Sequence, residues 1–303
     1  MESIDNVLVV LGDDRQQAAL VLAKAQTLAA ATGARLHAVR IVYEGIADLN
    51  ASAIDAATDL KTFILQAEET ITAEMVEPLR QQQAADIETA TLWNPRSWEG
   101  VLHAAEQAEA DLIIKAATQH GRFGDVIRTP DDWNLLRGAS MPVMLVKPQS
   151  WVEAPLLLCA LDAFDDRHDD LNLALLRDSA ALANALQGEL HLVVAYPLFE
   201  RWVGELGSVR NYDEIRREVE TEIRNRVVSL AESAGVSYER LYADEGPVEY
   251  VVSALAESLK AEVVVVGTHA RQGLKGMLLG NTSERLVHHL TTDILTIHAP
   301  TSN

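Results

Sequence analysis

An offset of 151 residues lays the end of this chain's first half on the end of its second. It carries Asp111 onto Glu262, Ala116 onto Gly267, Leu136 onto Val287 and Val143 onto Ile294 without a gap. A chain that repeats over about half its length folds as two copies of one unit. Its 303 residues suffice for two domains of ordinary size. The expected division is residues 1–150 and 154–303, with proline and polar residues interrupting the pattern at 147–153 (KPQSWVE).

Within each copy, short apolar runs alternate with helical patterns. Strands are expected at 7–11, 35–43, 87–92, 111–116 and 142–147. Helices are expected at 16–32, 53–83 and 97–108, with a short one after Trp133, and Gly33 closing the first. The second copy repeats this with strands at 156–161, 189–196, 238–242, 262–267 and 294–298. Its helices are expected at 170–187, ended by Gly188, at 213–233 and at 248–259. Strands separated by helices pair in parallel through right-handed crossovers, so the fold class is α/β, two tandem five-stranded parallel sheets flanked by helices.

Composition narrows the function. Twenty-five basic residues against 45 acidic ones give a net charge of −20, which argues against nucleic acid and anionic lipid as partners. A local cationic loop can still hold a single nucleotide. No apolar run approaches the roughly 20 residues of a membrane helix, and the first residues, MESIDN, lack the features of a signal peptide. One cysteine, Cys159, sits inside the apolar run LLLCAL and reads as a core thiol. The expectation is a cytoplasmic protein without internal disulfides.

The stretch 262–284 (EVVVVGTHARQGLKGMLLGNTSE) carries the chemistry. A valine-rich strand stops at Gly267, a glycine-bearing loop follows, and a helix starts after Gly280-Asn281-Thr282-Ser283. Helix-start N–H groups lack intrahelical partners and the dipole there favours anions, while glycine lets a phosphate approach the backbone. Neither G-x-x-x-x-G-K-[ST] nor G-x-G-x-x-G is present. The plain alternative is a strand–turn–helix connector with an ordinary Asn, Ser or Thr cap.

Gly267-Thr-His-Ala270, nine residues, then Gly280-Asn281 resembles the nucleotide motif of the universal stress protein family, G-2x-G-9x-G-[ST], with Ala270 replacing a glycine and Asn281 a Ser/Thr. The segment 115–147, with its QH, TPDDWNLLR and PVMLVK runs, is similar to the first domain of tandem E-type members. The resemblance covers nearly the whole chain. It implies an adenine-nucleotide α-hydrolase-like, Rossmann-like fold in each half, the halves packed as a pseudo-dimer or the chain pairing as a homodimer along its fifth strands. It also implies ATP, ADP or AMP as cofactor, with or without magnesium, in the C-terminal domain. Asp162 would lie near the adenosine, Val194 would offer backbone to the adenine, and Gly267, Ala270, Gly280, Asn281, Thr282 and Ser283 would hold the phosphates, Arg271 and Lys275 adding charge. The function implied is a stress sensor or regulator acting on a protein partner, with at most slow ATP hydrolysis. The alternative is a scaffold or binding module for another small or apolar ligand or for a protein.

The first copy departs from the motif. Ala116, Gln119, Thr129 and Pro130 stand at the four motif positions, and Gly12 stands where Asp162 does. Pro130 lacks a backbone donor, so residues 1–150 are expected not to bind ATP in this manner. His120, Asp131, Asp132 and Trp133 read as structural residues, and adjacent His288 and His289 point in different directions. No HExxH or CxxC pattern supports a metal, and no G-x-S-x-G elbow supports a hydrolase triad. The charged helix after Asp213 reads as a solvated face with i,i+4 pairs.

Overall fold

The computed structural model describes residues 4–45, 54–82, 87–117, 130–164, 166–196, 212–268, 286 and 289–299. The chain divides into two compact units, Glu2–Ser150 and Trp151–Asn303. The N-terminal unit runs β1 (Asn6–Val10), α1 (Arg15–Thr32), β2 (Arg35–Val42), α2 (Ile54–Gln81), β3 (Ile87–Trp93), α3 (Ser97–Gln107), β4 (Leu112–Ala116), α4 (Pro130–Gly138) and β5 (Val143–Val146). Its strands lie in the order β3-β2-β1-β4-β5, all parallel. The C-terminal unit runs β6 (Leu156–Ala160), a 3-10 turn (Asp166–His168), α5 (Asp169–Ala185), β7 (Glu189–Tyr196), α6 (Tyr212–Ala234), β8 (Arg240–Glu245), α7 (Val248–Leu259), β9 (Val263–Thr268) and β10 (Asp293–His298). Its order, β10-β9-β6-β7-β8, is the same arrangement, again parallel.

Parallel strands covered on both faces need apolar side chains at every position rather than alternating ones. Accordingly all five residues of β1 are buried, as are the four valines of β9. The duplication extends to the polar details. Asp111 accepts the backbone N–H groups of Asp5 and Asn6 (2.8 and 2.9 Å), and Glu262 accepts that of Leu156 (2.7 Å), so one carboxylate anchors the first strand of each unit. Helices α3 and α7 both end on a left-handed non-glycine residue, Glu109 (φ 47°) and Lys260 (φ 55°), again 151 positions apart. The next N–H reaches back in each, Ala110 to the Ala105 carbonyl and Ala261 to that of Ala256 (2.9 Å each), the closure pattern that satisfies the last carbonyls of a helix.

Most boundaries shift by only one or two residues from the sequence reading, two shift further, and one glycine has another role. Helix α4 starts at Pro130 rather than after Trp133, with Asp131 and Asp132 in its first turn. A proline is tolerated at a first helical position and acidic residues there complement the dipole. Strand β8 covers Arg240–Glu245 rather than 238–242, because its register follows β7 to Tyr196↔Glu245 and an edge strand accepts the outward polar residues. Gly188 does not supply the left-handed residue after α5; Gln187 does (φ 53°). Gly188 is needed for space, since a Cβ there would run into the Pro155 carbonyl oxygen.

Candidate functional site

In an open parallel sheet, ligands sit beyond the carboxyl ends of the strands, at the point where strand order reverses. In the C-terminal unit that point lies between β6 and β9. Asp162 follows β6 there, two residues past its last strand residue. The side chain of Asn172, itself buried at 1% exposure, grips the turn from both sides. It donates to the Asp162 carbonyl (2.7 Å) and accepts from the Asp162 N–H (3.1 Å). The Asp162 carboxylate accepts the Phe164 N–H on Oδ1 (3.2 Å) and lies 2.7 Å from His168 Nδ1 through Oδ2. With its side chain 52% exposed, it is an anchored carboxylate facing solvent at the strand end. It serves the turn, and it still presents an acceptor outward.

Val194 lies on β7, one residue beyond Val193, which pairs with Ala160, and its side chain is fully buried. Gly267 lies within β9 rather than at its end: it pairs with Ile297, and Thr268 continues the strand against His298. A Cβ on Gly267 would meet Leu171 Cδ2 at 2.6 Å and Leu175 Cδ1 at 3.1 Å. The missing side chain therefore lets α5 pack closely on the sheet, a structural duty that the sequence reading did not assign it. Ala270, Gly280, Asn281, Thr282 and Ser283, like Arg271 and Lys275, lie outside the described residues. The structure thus brings Asp162, Val194 and Gly267 to the carboxyl end of one sheet.

His168 and Asn172 were missed in the sequence. Neither belongs to a recognisable spacing, and an isolated histidine in the acid-rich run DDRHDD carries no periodic signal. A second feature was also missed. At the ends of β7 and β8, between α6 and α7, a groove of about 690 Å³ is lined by Tyr196, Arg216, Glu220, Asp244, Glu245 and Tyr250, among others. Tyr196 donates to Glu220 Oε1 (2.8 Å), and Arg216 Nε donates to the same oxygen (3.0 Å). The tyrosine hydrogen bond, reinforced by Arg216, holds Glu220 below the usual carboxylate range, while burial and then the Glu220 carboxylate push the Tyr196 hydroxyl up. The expected solvated face of α6 is therefore only part of its role, since Glu220 also ties that helix to β7.

The N-terminal unit presents different chemistry at the corresponding positions. Gly12 follows β1, and Arg40 on β2 occupies the register position of Val194. The Arg40 side chain, 5% exposed, donates to the Gly12 carbonyl (3.0 Å), to Asp13 (2.9 Å) and to Glu68 (2.6 Å). At the end of β4, Lys115 Nζ lies 2.6 Å from Asp132 Oδ1, and the Asp132 side chain is wholly buried.

Among the described residues, no helix is long and apolar enough to cross a membrane. Residues 3–147 and 158–298 each match the universal stress protein family. Universal stress protein E of Escherichia coli K12 is 35% identical over 219 residues, 70% of this chain and 68% of that protein. Universal stress protein E of Photorhabdus laumondii is 27% identical over 312 residues, covering 98% and 96% of the two chains. The crystal structure of a functionally unknown protein from Pseudomonas aeruginosa PAO1 superposes with a TM-score of 0.71 at 25% identity, covering 98% of this chain and 94% of that one. A universal stress protein from Archaeoglobus fulgidus DSM 4304, 15% identical, shares the fold at a TM-score of 0.63 over 97% and 98% of the chains. Two matched domains and relatives that cover 70% and 98% of the chain place it in the universal stress protein family, as a tandem member similar to the E type.

Proposed function

We propose that the C-terminal unit binds one adenine nucleotide, ATP or its products, and that occupancy regulates a protein partner in a stress response. The observation that carries the reading is Asp162: a carboxylate fixed by Asn172 and left half-exposed at the strand-order reversal. An outward acceptor held in an anchored turn suits the ribose hydroxyls of a nucleoside, because little of that side chain's own freedom is left to lose on binding. The run Gly267 to Ser283 supports the phosphate end, with a glycine-bearing loop leading to a helix start in the sequence. The role of this unit is binding and reporting, with at most slow hydrolysis.

The test is calorimetry of the full chain with ATP and magnesium, comparing wild type with Asp162→Asn. The asparagine keeps the turn acceptor toward Phe164 but lowers acceptor strength toward a hydroxyl. Affinity is expected to fall by about 1.5–3 kcal/mol, the value of a hydrogen bond to a charged group, with the thermal unfolding midpoint little changed. Unchanged affinity would exclude the assigned role, and absence of any heat with wild type at two well-separated temperatures would exclude nucleotide binding.

A second reading is favoured by the groove beside Tyr196. Glu220, Asp244 and Glu245 outnumber Arg216 there, so that groove suits a neutral or cationic small molecule rather than a phosphate. A ligand displaced by Glu220→Gln and indifferent to Asp162→Asn would assign binding to the groove.

A further inference from the structure

The two units have the same strand order, so each has a point where the order reverses, yet the charges at matching positions differ. The C-terminal unit has an outward carboxylate, Asp162, beside neutral Val194 and Val266. By the same offset that aligns β4 with β9, the counterpart of Asp132 is Ser283. The N-terminal unit has no carboxylate at Gly12 itself, and the exposed Asp13 beside it is bound by Arg40 (2.9 Å). Instead, Arg40 replaces Val194, Lys115 replaces Val266 and Asp132 replaces Ser283. All three of these charges are turned inward. Arg40 is 4% exposed and held by Asp13, Glu68 and the Gly12 carbonyl. Lys115 binds Asp132 at 2.6 Å and the Ala116 carbonyl at 3.2 Å.

The location of Asp132 matters. It lies in the first turn of α4, where the helix dipole and unpartnered N–H groups attract an anion. A carboxylate with no exposed surface, paired to a lysine on the adjoining strand end, supplies from within the chain the charge that an oxyanion would otherwise bring. Placing a second anion there would put like charges together in a region of low dielectric.

We propose that Asp132, with Lys115, is the specificity determinant that excludes anions from the strand-order reversal of the N-terminal unit: the Asp132 carboxylate acts there as a built-in substitute for a ligand oxyanion. The proposal stands on the N-terminal unit alone, so failure of nucleotide binding in the C-terminal unit would leave it intact.

The test uses the full chain and inorganic phosphate as the probe, read by hydrogen exchange at the amides of β4 and α4. In Asp132→Ala the ammonium of Lys115 loses its buried carboxylate, and these amides exchange about tenfold faster than in wild type or more. Millimolar phosphate restores their protection saturably, whereas chloride at equal ionic strength does not. Wild-type β4 and α4 are indifferent to phosphate. The double variant Lys115→Met/Asp132→Leu, which removes both charges, is protected without phosphate and indifferent to it. Should Asp132→Ala fail to fold in plain buffer, refolding in phosphate but not in chloride reads the same quantity. The proposal is overturned if phosphate does no more than chloride for Asp132→Ala, if that variant folds in neither, or if phosphate protects wild-type β4 and α4.

Discussion

Burial pushes the Cys159 thiol up to about 12, aided by the Asp178 charge and opposed by the Ser179 hydroxyl. An unfolded thiol, with an ordinary value of 9.0, gives up its proton first. The stability from burying neutral Cys159 is therefore fully present below pH 9 and lost as pH rises toward 12. Tyr196, also raised, has the same sign. The urea midpoint should fall across this alkaline window, less steeply in Cys159→Ala, and a native chain that reacts promptly with a thiol reagent would contradict the burial. Glu220 has the opposite sign. Its lowered value contributes stability above 4.5 that is lost as acid protonates it. Tyr196→Phe removes the main hydrogen bond responsible, so it should cost about 1 kcal/mol at neutral pH, the difference shrinking in chemical denaturation as the pH falls below 4.5 and Glu220 is protonated.

At the scale of elements, the repeated closures of α3 and α7 make a paired prediction. Glu109 and Lys260 are exposed residues in a left-handed conformation that disfavours any side chain by roughly 1 kcal/mol. Glycine at either position should raise stability by up to about 1 kcal/mol, by similar amounts in the two units; loss of stability at both would mean the side chains make contacts that matter. Gly267→Ala should act the other way, since its Cβ would meet Leu171 at 2.6 Å. Overpacking of this kind costs about 1–3 kcal/mol, visible as a lowered melting temperature without any ligand. These elements also show what was legible beforehand. Strand β9 and helix α7 could be read because a β-branched run and a 3.6-residue period each reflect burial directly. The span of β8 and the start of α4 could not, because register with a neighbouring strand and the fit of Pro130 in a first turn are tertiary facts. Gly188 looked like a helix stop for its conformational freedom, whereas the fold uses its lack of volume against Pro155.

On the scale of the molecule, duplication gave two units of identical strand order, and divergence at the strand ends separated their chemistry. The pattern of strands and helices survives many substitutions because burial alone maintains it. The site is different: Asp162 could be named from its place after a strand, but the Asn172 clamp and the His168 contact depend on a turn whose geometry no periodicity encodes. Likewise Arg40 and Lys115 look like ordinary strand cations in the sequence, and only the fold shows them neutralised from within. On the proposed function, one of the two homologous units holds a nucleotide. Native mass spectrometry of the full chain titrated with ATP and magnesium tests this most directly. One nucleotide per chain, lost or weakened in Asp162→Asn and kept in Lys115→Met/Asp132→Leu, is the expected result; a chain that takes up none, or two with equal affinity, would contradict it.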